Sequence, residues 1–243
     1  MLLQTNAIVV SVDPYEQSSL GQNTLGSRTT AGDAREYTYA KAGASNISKG
    51  KLQLSPAQKT NHHNMAVGAA AAIGATEVSV TLGATAAVAD EYDEGLLVIS
   101  VTPGQGQVLR ISRNPAIASS GTGTIVLADQ LEVALTTSSK ANLVHNVANG
   151  VVEAAVKTRR AAGVPYIDIT TLQFGWLASR GVAAVLADQT ITLGAQLSPS
   201  GSVAGAVIEN ADVTAPQAEV IVGQASVMAG VDAEYRPVCL NIA

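Results

Sequence analysis

Three histidines and a single cysteine are the side chains best suited to metal binding or nucleophilic chemistry in this 243-residue chain. His62 and His63 are adjacent, so on a strand they face opposite ways and cannot share a metal ion; His145 lies far off in sequence. A zinc site takes about four well-placed ligands, which this set does not supply. Asp90-Glu91-Tyr92-Asp93-Glu94-Gly95 is the one dense acidic run. It lacks the ligand spacing of a calcium-binding EF-hand loop and reads as a solvated turn. Gly104-Gln105-Gly106 is not followed by Gly-Lys-Ser/Thr, so it reads as a hairpin turn rather than a phosphate loop. The Gly-x-Ser-x-Gly pattern of a nucleophile elbow is absent. Cys239 has only Arg236 as a basic neighbour and reads as a buried structural thiol. The expectation is a protein without catalytic residues, cofactor or metal, whose work is done by surfaces.

The bulk composition agrees with that expectation. Charged residues are 14% of the chain, below the usual level of about 25%, while hydrophobic residues are 47%. Aromatics are 3%, so the core is built from Ala, Val, Leu and Ile, which bury less area per residue. A weakly charged surface over a thin core predicts stabilisation by neighbouring subunits, because such a surface costs little to desolvate. The net charge of -5 and the pI near 5.1 argue against nucleic-acid binding. Charge is uneven, however. Up to Thr60 six bases (Arg28, Arg35, Lys41, Lys49, Lys51, Lys59) outnumber four acids (Asp13, Glu16, Asp33, Glu36), so this segment is either a solvated face or a docking face for an acidic protein shell. One cysteine permits no intrachain disulfide. The start lacks the pattern of a secretion signal, and Met65 to Ala75 is too short to span a bilayer, so a soluble protein made in a cytoplasm, with no membrane partner, is expected.

The elements that must carry these surfaces read as β throughout. Ala7 to Val12 is a β-branched run ended by Asp13-Pro14, an N-terminal strand or arm. In Arg35 to Lys41, Tyr37 and Tyr39 share one strand face, either packing on the core with hydroxyls at its rim or forming an aromatic patch at a subunit contact. Lys49 to Leu54 is a further strand. Val67 to Ala75 reads as an Ala-Gly linker, and beyond it Thr76 to Leu82 alternates strictly, with Val78, Val80 and Leu82 on one face. Leu96 to Val101 is a continuous apolar run suited to a strand buried on both sides. Gln107 to Ile111, Thr124 to Leu127, Leu131 to Leu135 and Ala141 to His145 complete a lobe of short strands. Val151 to Ala162 is either a short helix or a strand. From Phe174 to Val207, runs at Val182 to Ala187, Thr190 to Leu193 and Val203 to Ile208 read as a meander joined by tight turns, and Glu219 to Val222 and Tyr235 to Ile242 close the chain as strands. Pro237 puts its own position at an edge or a strand start.

The fold class expected is all-β, with antiparallel β-sandwich or barrel domains, an N-terminal arm and few short helices. Residues 1–66 form the arm and a β segment that packs with the C-terminal domain, 67–147 an inserted β lobe, and 148–243 the C-terminal β-domain.

Several segments together carry a resemblance. Leu25-Gly26-Ser27-Arg28, Arg35 to Gly43 (REYTYAKAG) and Lys49-Gly50-Lys51-Leu52 resemble the N-terminal signature of structural proteins of tailed bacteriophages. Val78 to Thr85 (VSVTLGAT), Gly104 to Ile111 (GQGQVLRI) and Ala229 to Val238 (AGVDAEYRPV) are similar to the same group. Within that group the chain most resembles the capsid decoration, or cement, proteins. The resemblance implies a β-rich virion component, commonly a homotrimer. Such a protein is bound to the outer face of the major capsid protein shell and bridges neighbouring capsomers. Head-fibre or tail proteins share the composition but usually show longer repeats; a bacterial surface or carbohydrate-binding module is the other class left open. The shell-facing residues expected are Gln4, Ile8, Val10 and Val12 of the arm, with Arg28, Arg35, Tyr37, Tyr39 and Lys41 of the basic segment.

Overall fold

A computed structural model describes residues 12–31, 34–210 and 220–242. The described residues are almost entirely β, as expected, with one short 3-10 turn at Thr60–His62. In chain order the strands are β1 (Gln17–Ser18), β2 (Arg28–Thr30), β3 (Glu36–Ala42), β4 (Gln53–Leu54), β5 (Met65–Val67), β6 (Glu77–Thr81), β7 (Leu96–Val101), β8 (Val108–Arg113) and β9 (Thr122–Leu127). They continue with β10 (Lys140–Val144), β11 (Asn149–Val151), β12 (Ala161–Pro165), β13 (Phe174–Leu186), β14 (Gln196–Pro199), β15 (Val207–Glu209), β16 (Gly223–Gln224) and β17 (Tyr235–Asn241). The chain divides into two compact units, a body of residues 12–23, 27–54 and 152–242 and a lobe of residues 24–26 and 55–151.

The lobe is a closed antiparallel barrel in the order β10-β5-β6-β9-β8-β7, with β7 returning to β10. Closure leaves no unpaired strand edge, which protects short strands from pairing with another chain. Inward positions alternate along each strand: Val78 and Val80 on β6, Leu97 and Ile99 on β7, Leu109 and Ile111 on β8, Ile125 and Leu127 on β9. The expected alternation of Val78, Val80 and Leu82 therefore points at the barrel axis. Leu96 to Val101 departs from expectation. It is buried on one face only, with Leu96 and Val101 exposed, because a barrel strand has one side in the interior and one in solvent. The Ala-Gly stretch is not a linker either: Val67 lies in β5, and Ala71 bridges Leu135. Leu131 to Leu135 contributes that bridge and two buried leucines rather than a strand.

The body is organised around β13, whose thirteen residues merge what the sequence divides at Gly181. Its first half pairs with β3, from Phe174 against Lys41 to Arg180 against Glu36, and its second half pairs with β17, from Arg180 against Asn241 to Leu186 against Tyr235. The changeover sits at a register shift between Ala178 and Arg180, followed by Gly181 at φ +87. A glycine there accepts the left-handed backbone that lets one strand bend and serve two partners. From β17 the sheet continues through β16 and β14 to β15, while β1 and β12 also pair with β13 and β2 pairs with β3. Pro237 on β17 faces Ala184 of β13, and β16 reaches only Leu240 and Cys239, so the proline sits where its strand has one neighbour. Thr190 to Leu193 forms a single bridge, Ile191 to Gly230, and no strand; no helix occurs between Val151 and Ala162, where β12 begins at Ala161. No helix among the described residues is long and apolar enough to cross a membrane.

Candidate functional site

Two of the histidines that sequence keeps apart meet in the lobe. The 3-10 turn at Thr60–His62 turns His62 fully inward, and His145 follows directly after β10, so both rings reach Tyr92, which is wholly buried. His145 stacks on the Tyr92 ring at 4.3 Å between centroids, and the Tyr92 hydroxyl lies 2.5 Å from Nδ1 of His62. The other His62 nitrogen, Nε2, is 2.8 Å from the Thr85 carbonyl oxygen. A carbonyl only accepts, so Nε2 carries the proton and Nδ1 accepts from the tyrosine hydroxyl. Burial holds the His62 pKa below its ordinary value, against the opposing pull of the Thr85 carbonyl.

Glu91, beside Tyr92, joins the cluster to charge. Its carboxylate accepts from Lys59 Nζ at 2.6 Å and from His145 Nε2 at 3.1 Å, and the Val88 N–H donates to it at 3.0 Å. Desolvation pushes this carboxyl up, but the bonds from His145, Lys59 and Val88 outweigh it and hold the pKa at about 2. The acidic run is thus not simply a solvated turn: Tyr92 anchors it inside and Glu91 ties it down. Because the three rings are buried, the arrangement locks the lobe and presents no reacting group to a substrate. Among the described residues no cluster of three or more His, Cys, Asp or Glu is placed to hold a metal ion.

Of the residues expected at a partner contact, Gln4, Ile8 and Val10 lie outside the described residues, and Val12 is half-buried. Arg28 is exposed on β2. Tyr37 and Tyr39 are buried, at 1% and 2% exposure, and pack on the body core. Tyr39 lies between Phe174, stacked at 5.9 Å, and Trp176, edge-on at 5.0 Å; Tyr37 meets Tyr166 edge-on at 5.7 Å. Even Thr38 between them is buried, because β3 is covered on both faces. Lys41 and Arg35 each lie over rings, Lys41 at 5.4 Å from Phe174 and Arg35 at 5.8 Å from Tyr166. Cys239 is half-buried on β17.

The surface that stands out is a groove in the body of about 520 Å³, walled by Tyr15, Tyr166 and Tyr235 and floored by Pro165 and the Val182–Ala184 stretch of β13. Tyr15 and Tyr235 are 63% and 51% exposed, and Val182 is 47% exposed. Arg35 and Lys49 also line it. Local sequence explains the walls. The Asp13 carboxylate accepts from the Tyr15 N–H at 2.8 Å, fixing the turn that projects Tyr15, and Tyr166 follows Pro165 at the end of β12. Gly50, at φ +71, leaves room for Tyr235: a Cβ there would come within 2.7 Å of the ring. Sequence reasoning missed this trio because its members lie in three separate segments. The one available signal was the repeated Pro-Tyr dipeptide at 14–15 and 165–166.

Against protein-family models, curated proteins and solved structures, this chain finds no match.

Proposed function

We propose that the protein is a capsid decoration protein of a tailed bacteriophage, binding the outer surface of the head and stabilising the shell by bridging capsomers. The observation that carries the reading is the tyrosine groove. Exposed tyrosines around an apolar floor suit a protein partner that inserts an apolar segment. The segmental resemblance to phage structural proteins names that partner as the major capsid protein. Tyrosine supplies large contact area at low entropic cost, which suits an anchor on a surface that is otherwise weakly charged. Single contacts of this kind are modest. A homotrimer touching several capsomers at once gains by effective concentration, which is how a small β protein reinforces a shell against internal pressure.

The test is to mix the purified protein with undecorated heads of the phage that encodes it and measure stoichiometric binding and the temperature of head disruption. The expected result is saturable binding and a raised disruption temperature. The double variant Tyr15→Ala, Tyr235→Ala should lose at least about 2 kcal/mol of binding while keeping its own melting temperature, since both rings are exposed. Wild-type protein that leaves the heads undecorated sinks the reading.

A further inference from the structure

One wall of the groove beside Tyr235 is made of backbone. Over residues 182–186, β13 has β17 as its only strand neighbour, because β3 reaches no further than Arg180 and β12 no further than Ala178. In an antiparallel pair, alternate residues turn their N–H and C=O groups toward the partner strand and the others turn them away. Three bonds fix which do which. The Ile242 N–H donates to the Ser179 carbonyl at 2.9 Å and the Ala187 N–H to the Glu234 carbonyl at 2.9 Å, so the odd-numbered residues of this half face β17. The Leu186 N–H instead donates away from β17, to the Gly50 carbonyl at 3.0 Å. Val182 and Ala184 therefore direct their backbone groups to the same side as Leu186, into the groove that they line with Gly50. Pro237, opposite Ala184, has no N–H to offer, which agrees with that assignment.

We propose that this open edge of β13 is where a protein partner docks, entering the groove as an extended segment that adds a short strand beside residues 182–186. The proposal rests on the groove being a protein-docking face, as argued above, and adds the conformation and the backbone chemistry of what enters.

The two ends of the edge are already engaged, which sets the length. Leu186 is held by Gly50, and the Val182 carbonyl accepts from the Tyr166 hydroxyl at a long 3.4 Å. Between these ends, the Val182 N–H and both backbone groups of Ala184 have no strand partner among the described residues. An unpaired run of N–H and C=O groups is a template for another backbone, and proteins usually cover or blunt it. Here a groove of about 520 Å³ lies against it, and Val182 and Ala184 are both exposed. Residues 182–186 span about 13 Å at about 3.3 Å per residue, room for a strand of three or four residues. A residue directly opposite Ala184 shares the sheet face of Tyr235, which stands opposite Leu186, so an apolar side chain there packs beside the tyrosine. Other conformations leave the edge unanswered. A helix keeps its backbone groups for itself, and a proline-rich segment lacks the N–H groups.

The probe is the peptide acetyl-Thr-Val-Thr-Val-Thr-amide, titrated into the isotope-labelled full chain while the amide signals of Val182 and Ala184 are followed by NMR. Two analogues carry backbone N-methyl groups, one on the valines and one on the threonines. Acetyl-pentaproline-amide runs as an extended peptide without N–H groups. The expected result is saturable shifts and slowed hydrogen exchange at both amides with the parent peptide and with the threonine-methylated analogue. The valine-methylated analogue cannot donate to the Ala184 carbonyl and should bind at least about tenfold more weakly. On the protein side, Ala184→Pro removes the outward N–H but no bond to β17, and should weaken peptide binding to a similar extent, with circular dichroism reporting its fold. The proposal is overturned if the parent peptide leaves both amides unmoved at high millimolar concentration or if methylation of valines and threonines weakens binding equally. It is also overturned if pentaproline binds as well as the parent, or if folded Ala184→Pro does. No head is present in this assay. If the peptide fails while heads are decorated, the strand proposal falls and the capsid reading stands; if the peptide binds while heads stay bare, the reverse holds.

Discussion

At the scale of single residues, Tyr92 ranks first because one buried side chain satisfies two imidazoles in different ways. It donates its hydroxyl to His62 and offers its ring face to His145. Tyr92→Phe keeps the stacked ring but leaves Nδ1 of His62 buried without a donor, and an orphaned buried acceptor costs about 1–3 kcal/mol. Urea denaturation should show that loss, while Tyr15→Phe on the exposed groove should show almost none. The same cluster sets a direction for pH. His62 has a folded pKa below its ordinary 6.5, so the unfolded chain takes up its proton first and stability falls as pH drops below about 6.5. Glu91 acts in the same sense lower down: its stabilisation is full above 4.5 and is lost as pH falls from there toward about 2, a contribution of up to about 3 kcal/mol. A pH series of melting curves should therefore show the lobe weakening monotonically from neutral to acid, and Glu91→Gln should flatten the part below pH 4.5. None of this was legible in the sequence. His62, Tyr92 and His145 come from three segments, and only closure of the barrel brings them together. The adjacency of His62 and His63 gave a true but limited inference, since it ruled on that pair and not on His62 with His145.

Among the elements, the short strands were read more reliably than the long one. Residues 76–82, 107–111 and 141–145 alternate or end in turn residues, and strands occur at each. β13 was divided because Gly181 looked like a turn; in the sheet it is the bend at which one strand changes partners. Glycine marks a left-handed backbone in both cases, and only the pairing distinguishes them. The pairing of β16 with β17 rests on another glycine. A Cβ at Gly223 would lie 2.3 Å from the Cys239 carbonyl oxygen and 3.0 Å from the Leu240 Cα, so neither backbone can yield without losing the ladder. Gly223→Ala should destabilise the body by about 1–3 kcal/mol, with faster amide hydrogen exchange along β16 and β17 than elsewhere. The groove was the least legible feature. From the sequence Tyr37 and Tyr39 are either core rings or part of a contact face in the basic segment; the structure makes them core, and the exposed tyrosines of the groove are Tyr15 and Tyr235. Alternation tells which residues share a face, and not whether a second layer covers it.

For the molecule as a whole, scarcity of aromatics is resolved by concentration. Six of the body's seven aromatics meet in two groups, Tyr15 and Tyr37 on Tyr166, and Phe174 and Trp176 on Tyr39, while the lobe relies on Tyr92 and an aliphatic barrel. Each unit thus has its own core. The long segment of the lobe is spliced between two neighbouring backbones of the body: the Leu54 N–H donates to the Val152 carbonyl at 2.9 Å, and the Val152 N–H returns the bond to Leu54 at 3.0 Å. Two backbones clasped side by side form an anchorage for whatever is spliced between them. The protein is in effect a socket, and residues 55–148, which leave β11 in the body's sheet, are one occupant of it. A foreign domain with neighbouring termini grafted in their place should leave the body's melting temperature within a few degrees of the parent, provided Leu25→Ser is introduced, because Leu25 is buried within the lobe it would lose. If heads accept such chimeras, the shell becomes a display platform whose cargo is chosen independently of its attachment.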